Sequence, residues 1–368
     1  MKRFEYADAI ISKKELYISI SSMVIGVGIL TLPRTIATDI ESSDGWISIL
    51  TGGVIALIFA WLLAKLAARF PRMTFFEYTS KIVSKPVSYV LTFLMSAYLL
   101  LFVSYEIRSV GIIAKQYLFD ITPVEVITFV FLLVLIYAVS GPSIGIIRLN
   151  VLFFPIVLLI VIFVLIFTIQ LIEKENLQPM FITGVKPILS GIKDSVFSFL
   201  GFEIVLFYTA LMKRPQDAPK AAMIGLSIPI LLYTIIYLFT VGVFSSFGTK
   251  NLVFPTIELA KEVELPGAFL ERVDSIFFTV WIMTIFNTSS MAYDLSVMLI
   301  RSILPQCKKI TLISVLAFIS YVLSMLPQNF NQLSSFGEII SISGVVIGLL
   351  MPMILLVIAI LRGVKANA

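Results

Sequence analysis

The chain has 368 residues, of which 59% are hydrophobic and 13% charged, and its mean hydropathy is +1.04. A soluble surface takes about 25% charged residues, so the composition excludes a soluble fold and points to a polytopic membrane protein. With no histidine and one cysteine, Cys307, the chain lacks His triads, His or Cys metal clusters and intrachain disulfides; its net charge of +5 lies between apolar runs, unlike a nucleic-acid surface. No cofactor, metal or catalytic residue is expected, and the chain is not read as an enzyme.

Ten runs are nearly free of Asp, Glu, Lys and Arg: 16–38, 45–64, 87–114, 124–147, 149–172, 190–211, 221–247, 272–299, 310–328 and 335–361. Each is close to the about 20 residues that a bilayer-crossing helix needs. The first run has no small-residue cleavage pattern behind it and reads as a span, not a removed signal. Alternate connections hold 18 Lys and Arg against 7, which places both termini on the cytoplasmic side and fits ten helices. The connections 65–86, 173–189 and 248–271 are too poor in apolar residues to bury a core, so residues 1–368 form one integral membrane domain. Within the last connection, 254–261 reads as a short external helix after Pro255, either a lid or a plain connector.

Two runs are interrupted. The first contains Gly26, Gly28 and Pro33 within eight residues, and the sixth contains Gly201 beside Glu203. Glycine and proline leave backbone groups unpaired, and in a membrane such groups persist only where they line a cavity or lie buried in protein. If the ten runs divide into inverted repeats of about 13–172 and 188–362, the two interruptions occupy corresponding positions, which is where transporter folds place a central site. Freed N–H groups from Gly26 to Thr31 favour a carboxylate, and freed carbonyls from Ser198 to Leu200 favour an ammonium. Free amino acids carry both.

These residues also carry a family resemblance. The run Gly26-Val27-Gly28-Ile29-Leu30-Thr31-Leu32-Pro33-Arg34 and the run Phe199-Leu200-Gly201-Phe202-Glu203 resemble the broken helices of the amino acid–polyamine–organocation (APC) superfamily. Asp44-Gly45-Trp46, Met212-Lys213-Arg214-Pro215, Phe254-Pro255-Thr256-Ile257 and Phe269-Leu270-Glu271-Arg272 resemble the B subunits of spore-germination receptors, the spore permease family. The resemblance implies an all-α membrane protein of ten helices with a 5+5 inverted-repeat, LeuT/APC-like fold. It implies a germinant receptor in the spore inner membrane, working with an A subunit and a lipoprotein C subunit. It also implies a pocket formed by Gly26, Val27, Gly28, Ile29, Phe199, Leu200, Gly201 and Phe202. Tyr98 and Tyr105, seven apart on one helix face, and Asn287 are the candidates to complete it. The fifth run lacks the basic residue that some members of the superfamily place there, which leaves proton coupling open.

Ionisable residues inside the spans are functional candidates. Arg34 lies about 30 Å along the first helix and Glu106 about 29 Å along the third, so both are expected near the outer boundary. They form either an outer gate or two side chains that snorkel to the headgroups. Glu203 sits near mid-depth and binds a ligand amine, carries a proton or holds the bundle together. Asp294 is expected at the inner interface. Thr284, Thr288 and Ser289 either line a sodium site or bond their own backbone. Two functions follow: a subunit that senses a small germinant, with an amino acid as the expected ligand, or a secondary amino-acid transporter coupled to protons or sodium.

Overall fold

The computed structural model describes residues 10–263 and 273–365, and among these every regular element is helical apart from an isolated bridge between Ile11 and Met212. The motif Phe269-Leu270-Glu271-Arg272, with Lys2, Arg3 and Glu264, lies outside the described residues.

The chain opens with α1 (Lys13–Val24), where Ser12 and Glu15 form a reciprocal cap: the Glu15 N–H donates to Ser12 Oγ at 3.2 Å and the Ser12 N–H to Glu15 Oε2 at 2.7 Å. A 51° bend separates α1 from α2 (Gly28–Asp39). Then follow α3 (Gly45–Ala68), the short surface helix α4 (Phe75–Ile82), α5 (Lys85–Tyr117), α6 (Val124–Ser140) and α7 (Ser143–Thr168). In the second half, α8 (Val185–Ser198) meets the segment Phe202–Leu211, whose α-helical turn is α9 (Val205–Tyr208), at a 42° bend. The chain then runs through α10 (Ala218–Asn251), α11 (Pro255–Lys261), α12 (Val273–Ile303) and α13 (Lys309–Ser324) to α14 (Phe330–Ser343). A π-helical turn, Gly344–Leu350, joins α14 to α15 (Met351–Leu361).

Each of the ten apolar runs therefore contains a helix. Six are continuous helices long and apolar enough to cross a membrane, two are the bent pairs, and α6 and α13 are shorter at 17 and 16 residues. One boundary differs from the sequence reading, which split 124–147 from 149–172 at Arg148. The turn falls instead at Gly141-Pro142, and Arg148 lies inside α7. Pro142 donates no backbone hydrogen bond and fits the start of a new helix, so its geometry outweighs a single charge as a helix stop.

The helices form two layers. The α1–α2 pair, α3, α8 and α10 pack together, while α5, α6, α12 and α13 form the other layer; α7 bridges α1 and α12, and α14 bridges α5 and α8. Small residues let α3 approach closely: a Cβ on Gly52 would fall 2.7 Å from Ser195 Cβ on α8, and one on Gly53 2.7 Å from Ile230 on α10. On α7 the buried stripe includes Asn150, Val157, Val161 and Val164, while Leu152, Leu159 and Ile166 at seven-residue spacing are exposed. An apolar stripe left uncovered along a helix that is hydrophobic all round faces lipid. The two described ends share a face: Ile11 pairs with Met212 at the end of the α8–α9 segment, and Arg69, at the end of α3, donates to the Val364 carbonyl at 3.4 Å.

Candidate functional site

Where α1 stops, its carbonyls need other donors. Tyr233 of α10 donates its hydroxyl to the Val24 carbonyl at 2.7 Å, and Ser22 donates to Asn150 Oδ1 of α7 at 2.6 Å. These bonds fix α1 while Ile25, Gly26 and Val27 turn the chain. Gly26 packs tightly, since a Cβ there would stand 3.2 Å from Glu106 Oε1 and 3.4 Å from Thr288 Cγ2. The N–H groups of Gly28 and Ile29 open α2 with no preceding helical turn to accept them, which gives this end its positive character.

At the second break Gly201 adopts φ +121°, and its Cα approaches Met23 so closely that a Cβ would lie 3.2 Å from the Met23 carbonyl oxygen. Glu203 closes this break. Its Oε2 accepts from the Gly201 N–H at 2.7 Å and its Oε1 from the Tyr98 hydroxyl at 2.7 Å. The break therefore supplies its own cap, and the acid that capping requires is buried with both oxygens satisfied.

Between the two breaks lies a cavity of about 680 Å³ that reaches the face on which α2 ends. Of the residues expected from the sequence, Gly26, Val27, Gly28, Leu200, Tyr98, Tyr105, Arg34 and Glu106 line it. The others do not. Ile29 is buried and its carbonyl accepts from Thr256 at 2.7 Å; Phe199 stacks on Tyr233 at 5.5 Å; Phe202 and Gly201 are buried in the break; Glu203 is its cap. Asn287 is fully buried on α12, away from the lining. The fourth wall is α14, through Ser334, Gly337, Glu338 and Ser341, and not the eighth run, which carries Asn287. Thr284 and Thr288 donate to carbonyls of their own helix at 3.0 and 2.8 Å. Asp294 is buried 3.8 Å from Lys309.

The depth of Glu106 also corrects the sequence reading. It sits against the first break, on the cavity floor, and not beside Arg34 nearer the mouth. At 33 residues α5 is about 50 Å long, well beyond a hydrocarbon core of about 30 Å, so distance counted from its start overstates depth across the membrane. Among the described residues no ion pair joins Arg34 to Glu106; the Arg34 guanidinium lies over the Phe330 ring, 5.4 Å from its centroid. Phe330 meets Phe254 edge-on at 5.4 Å, and together the three cover the outer part of the cavity. The mouth carries Asp39, Lys193, Asp194 and Glu338, which sequence reasoning missed because they belong to separate runs that only the fold brings together.

Outside the spans, Asp44 holds the connection between α7 and α8 at this face. Its carboxylate accepts from the N–H groups of Phe181, Ile182 and Thr183 at 2.6, 2.9 and 3.0 Å. Burial alone would raise its pKa, but the three N–H donors outweigh that and hold it below the ordinary value of 3.8.

Two bent helices that meet at a cavity open to one face are an arrangement found in transporter folds. The fold is shared with MhsT in complex with L-phenylalanine, at a TM-score of 0.74 and 15% identity, covering 95% of this chain and 89% of that one. It is also shared with Mhp1, a nucleobase-cation-symport-1 family transporter solved in a closed conformation with bromovinylhydantoin bound, at a TM-score of 0.67 and 15% identity, covering 93% and 78%. The chain thus has the APC/LeuT fold. In sequence, the spore permease family model, described as spore germination protein, matches residues 10–333. Spore germination protein GerLB of Bacillus cereus is 40% identical over 360 residues, 97% of this chain and 96% of that protein. Spore germination protein YndE of Bacillus subtilis (strain 168) is 31% identical over 349 residues, covering 95% and 96%. The chain belongs to the spore permease family of spore germination proteins.

Proposed function

We propose that this chain is the ligand-binding membrane subunit of a nutrient germinant receptor. It resides in the inner membrane of a spore with both termini cytoplasmic, binds an amino acid as germinant, and signals to A and C subunits; it is not an enzyme. The observation that carries this reading is the cavity between the two helix breaks, bordered by the open N-terminus of α2 at Gly28 and by Leu200 beyond the end of α8. The first suits a carboxylate and the second sets the apolar part of the ligand. The cavity is shared by both layers: α2 and α8 come from one, and α5, through Tyr98, Tyr105 and Glu106, from the other. A ligand that touches both layers and fits one arrangement better shifts the population towards it, and that shift is the signal.

A second reading, a secondary amino-acid transporter, draws support from the same fold, since both solved neighbours are similar in fold and Mhp1 is described as a transporter. Radiolabelled amino acids applied to proteoliposomes holding the purified chain separate the two. The receptor reading expects saturable binding without concentrative uptake under a proton or sodium gradient; gradient-driven uptake establishes the transporter.

A further inference from the structure

We propose that Glu106 is the counter-charge for a cationic nitrogen on the ligand, so that the cavity selects ammonium compounds over neutral solutes such as sugars or nucleosides. The inference rests on the cavity being the germinant site and specifies what that site recognises. Glu106 is only 2% exposed, yet it lines the cavity, and its Oε2 has no hydrogen-bond partner among the described residues. The Val27 N–H points towards its carboxylate at the first break, and the buried Oε2 is left without a partner.

Glu203, the other acid at this level, has both oxygens engaged and does not line the cavity. Neither cation of the lining neutralises Glu106: Arg34 lies over Phe330 at 5.4 Å and Lys193 over Phe197 at 5.6 Å. The lining holds four carboxyl groups, Asp39, Glu106, Asp194 and Glu338, against those two cations. A buried carboxylate with an unpartnered oxygen is costly unless a cationic donor meets it. An ammonium supplies charge and hydrogen bond together. The adjacent N-terminus of α2 supplies the opposite polarity, so a zwitterion fits with its amine on Glu106 Oε2 and its carboxylate at Gly28.

The test uses the purified full chain and the twenty common L-amino acids, singly, followed by isothermal titration of each one that raises Tm. Every such amino acid is compared with the carboxylic acid lacking its amine, and inosine and glucose serve as neutral probes. Removing the amine is expected to abolish binding. Glu106→Gln is expected to weaken amino-acid binding by about 10- to 100-fold, the factor lost with one charged hydrogen bond. Glu106→Asp is expected to fall between, and the unliganded Tm of Glu106→Gln to stay at or above wild type, since an unpaired buried charge has been removed. Equal affinity of Glu106→Gln and wild type, a fall in the unliganded Tm that accounts for its loss of binding, or equal binding of the amine-free acids overturns the proposal. Binding of inosine or glucose, but of no amino acid, blocked by Gly26→Leu, overturns the amine assignment and leaves the cavity reading standing. No binding of any of these probes overturns both.

Discussion

Gly201 holds a backbone angle of +121° with the Met23 carbonyl where a Cβ would project, so Gly201→Ala meets both strain and a clash. A loss of about 1–3 kcal/mol is expected, read as a lower Tm of the purified chain. Glu203 is a different case. It caps the break through Gly201 and Tyr98, and Glu203→Gln keeps the side chain but removes the charge from two hydrogen bonds. Its Tm should fall by the equivalent of about 1–3 kcal/mol while the remaining folded protein binds amino acids nearly as before. A large loss of affinity at unchanged Tm would return Glu203 to the ligand site. Asp44 gives a pH-dependent case. Its folded pKa lies below the ordinary carboxylate value, so its contribution is complete above about pH 4 and is lost as pH falls through the lowered value. Asp44→Asn should therefore cost about 1–3 kcal/mol near neutrality, and the gap from wild type should close in acid. A gap that stays constant with pH would show that the charge is irrelevant to the clasp.

Among the elements, α11 is placed to govern access. The Thr256 hydroxyl donates to the Ile29 carbonyl in the first turn of α2, and Phe254, just before α11, covers the cavity with Phe330. Thr256→Val leaves that buried carbonyl unpaired, and ligand dissociation should quicken by roughly fivefold, as expected for about 1 kcal/mol of closure lost. Stopped-flow release of a bound amino acid measures it. How far the elements were legible follows from physics of this kind. The breaks at Gly26–Gly28 and at Gly201 are marked by the residues that permit them, as are Pro255 before α11 and the apolar runs themselves. The division of α6 from α7 at Gly141-Pro142 is less visible in sequence than the nearby charge of Arg148, although proline geometry sets it. The wall formed by α14 in place of α12 carries no local mark, because which face of an apolar helix meets the cavity is set by packing.

At the scale of the whole molecule, two layers meet along a cavity that opens on the face opposite the chain ends. The candidate site was half legible: Gly26 to Gly28 and Leu200 lie at the breaks that the family resemblance marks as a pocket, and Tyr98 and Tyr105 share the helix face proposed to complete it. The depth of Glu106 is not legible from counting along its helix, because α5 at 33 residues is longer than a hydrocarbon core is thick. Asp39, Asp194 and Glu338 were missed because nothing in three separate runs says that they converge. The topology has its own check. Cys307 precedes Lys309, which donates to the Gly141 carbonyl at 2.6 Å, and nearby Arg148 pairs with Glu15 of α1 at 3.7 Å. Cys307 therefore shares the face of the termini, and an impermeant thiol reagent applied outside should not label it; labelling would invert the orientation.

The central claim, that the cavity between the helix breaks is where a small solute binds, is tested most directly at Gly26. A leucine there would drive its side chain from a Cβ 3.2 Å from Glu106 Oε1 into the cavity floor. The measurement is the Tm of purified wild type and Gly26→Leu, each titrated with the twenty common amino acids. The account predicts that at least one amino acid raises the Tm of wild type and that none raises that of the folded variant. A shift of equal size in both would contradict it and place binding elsewhere.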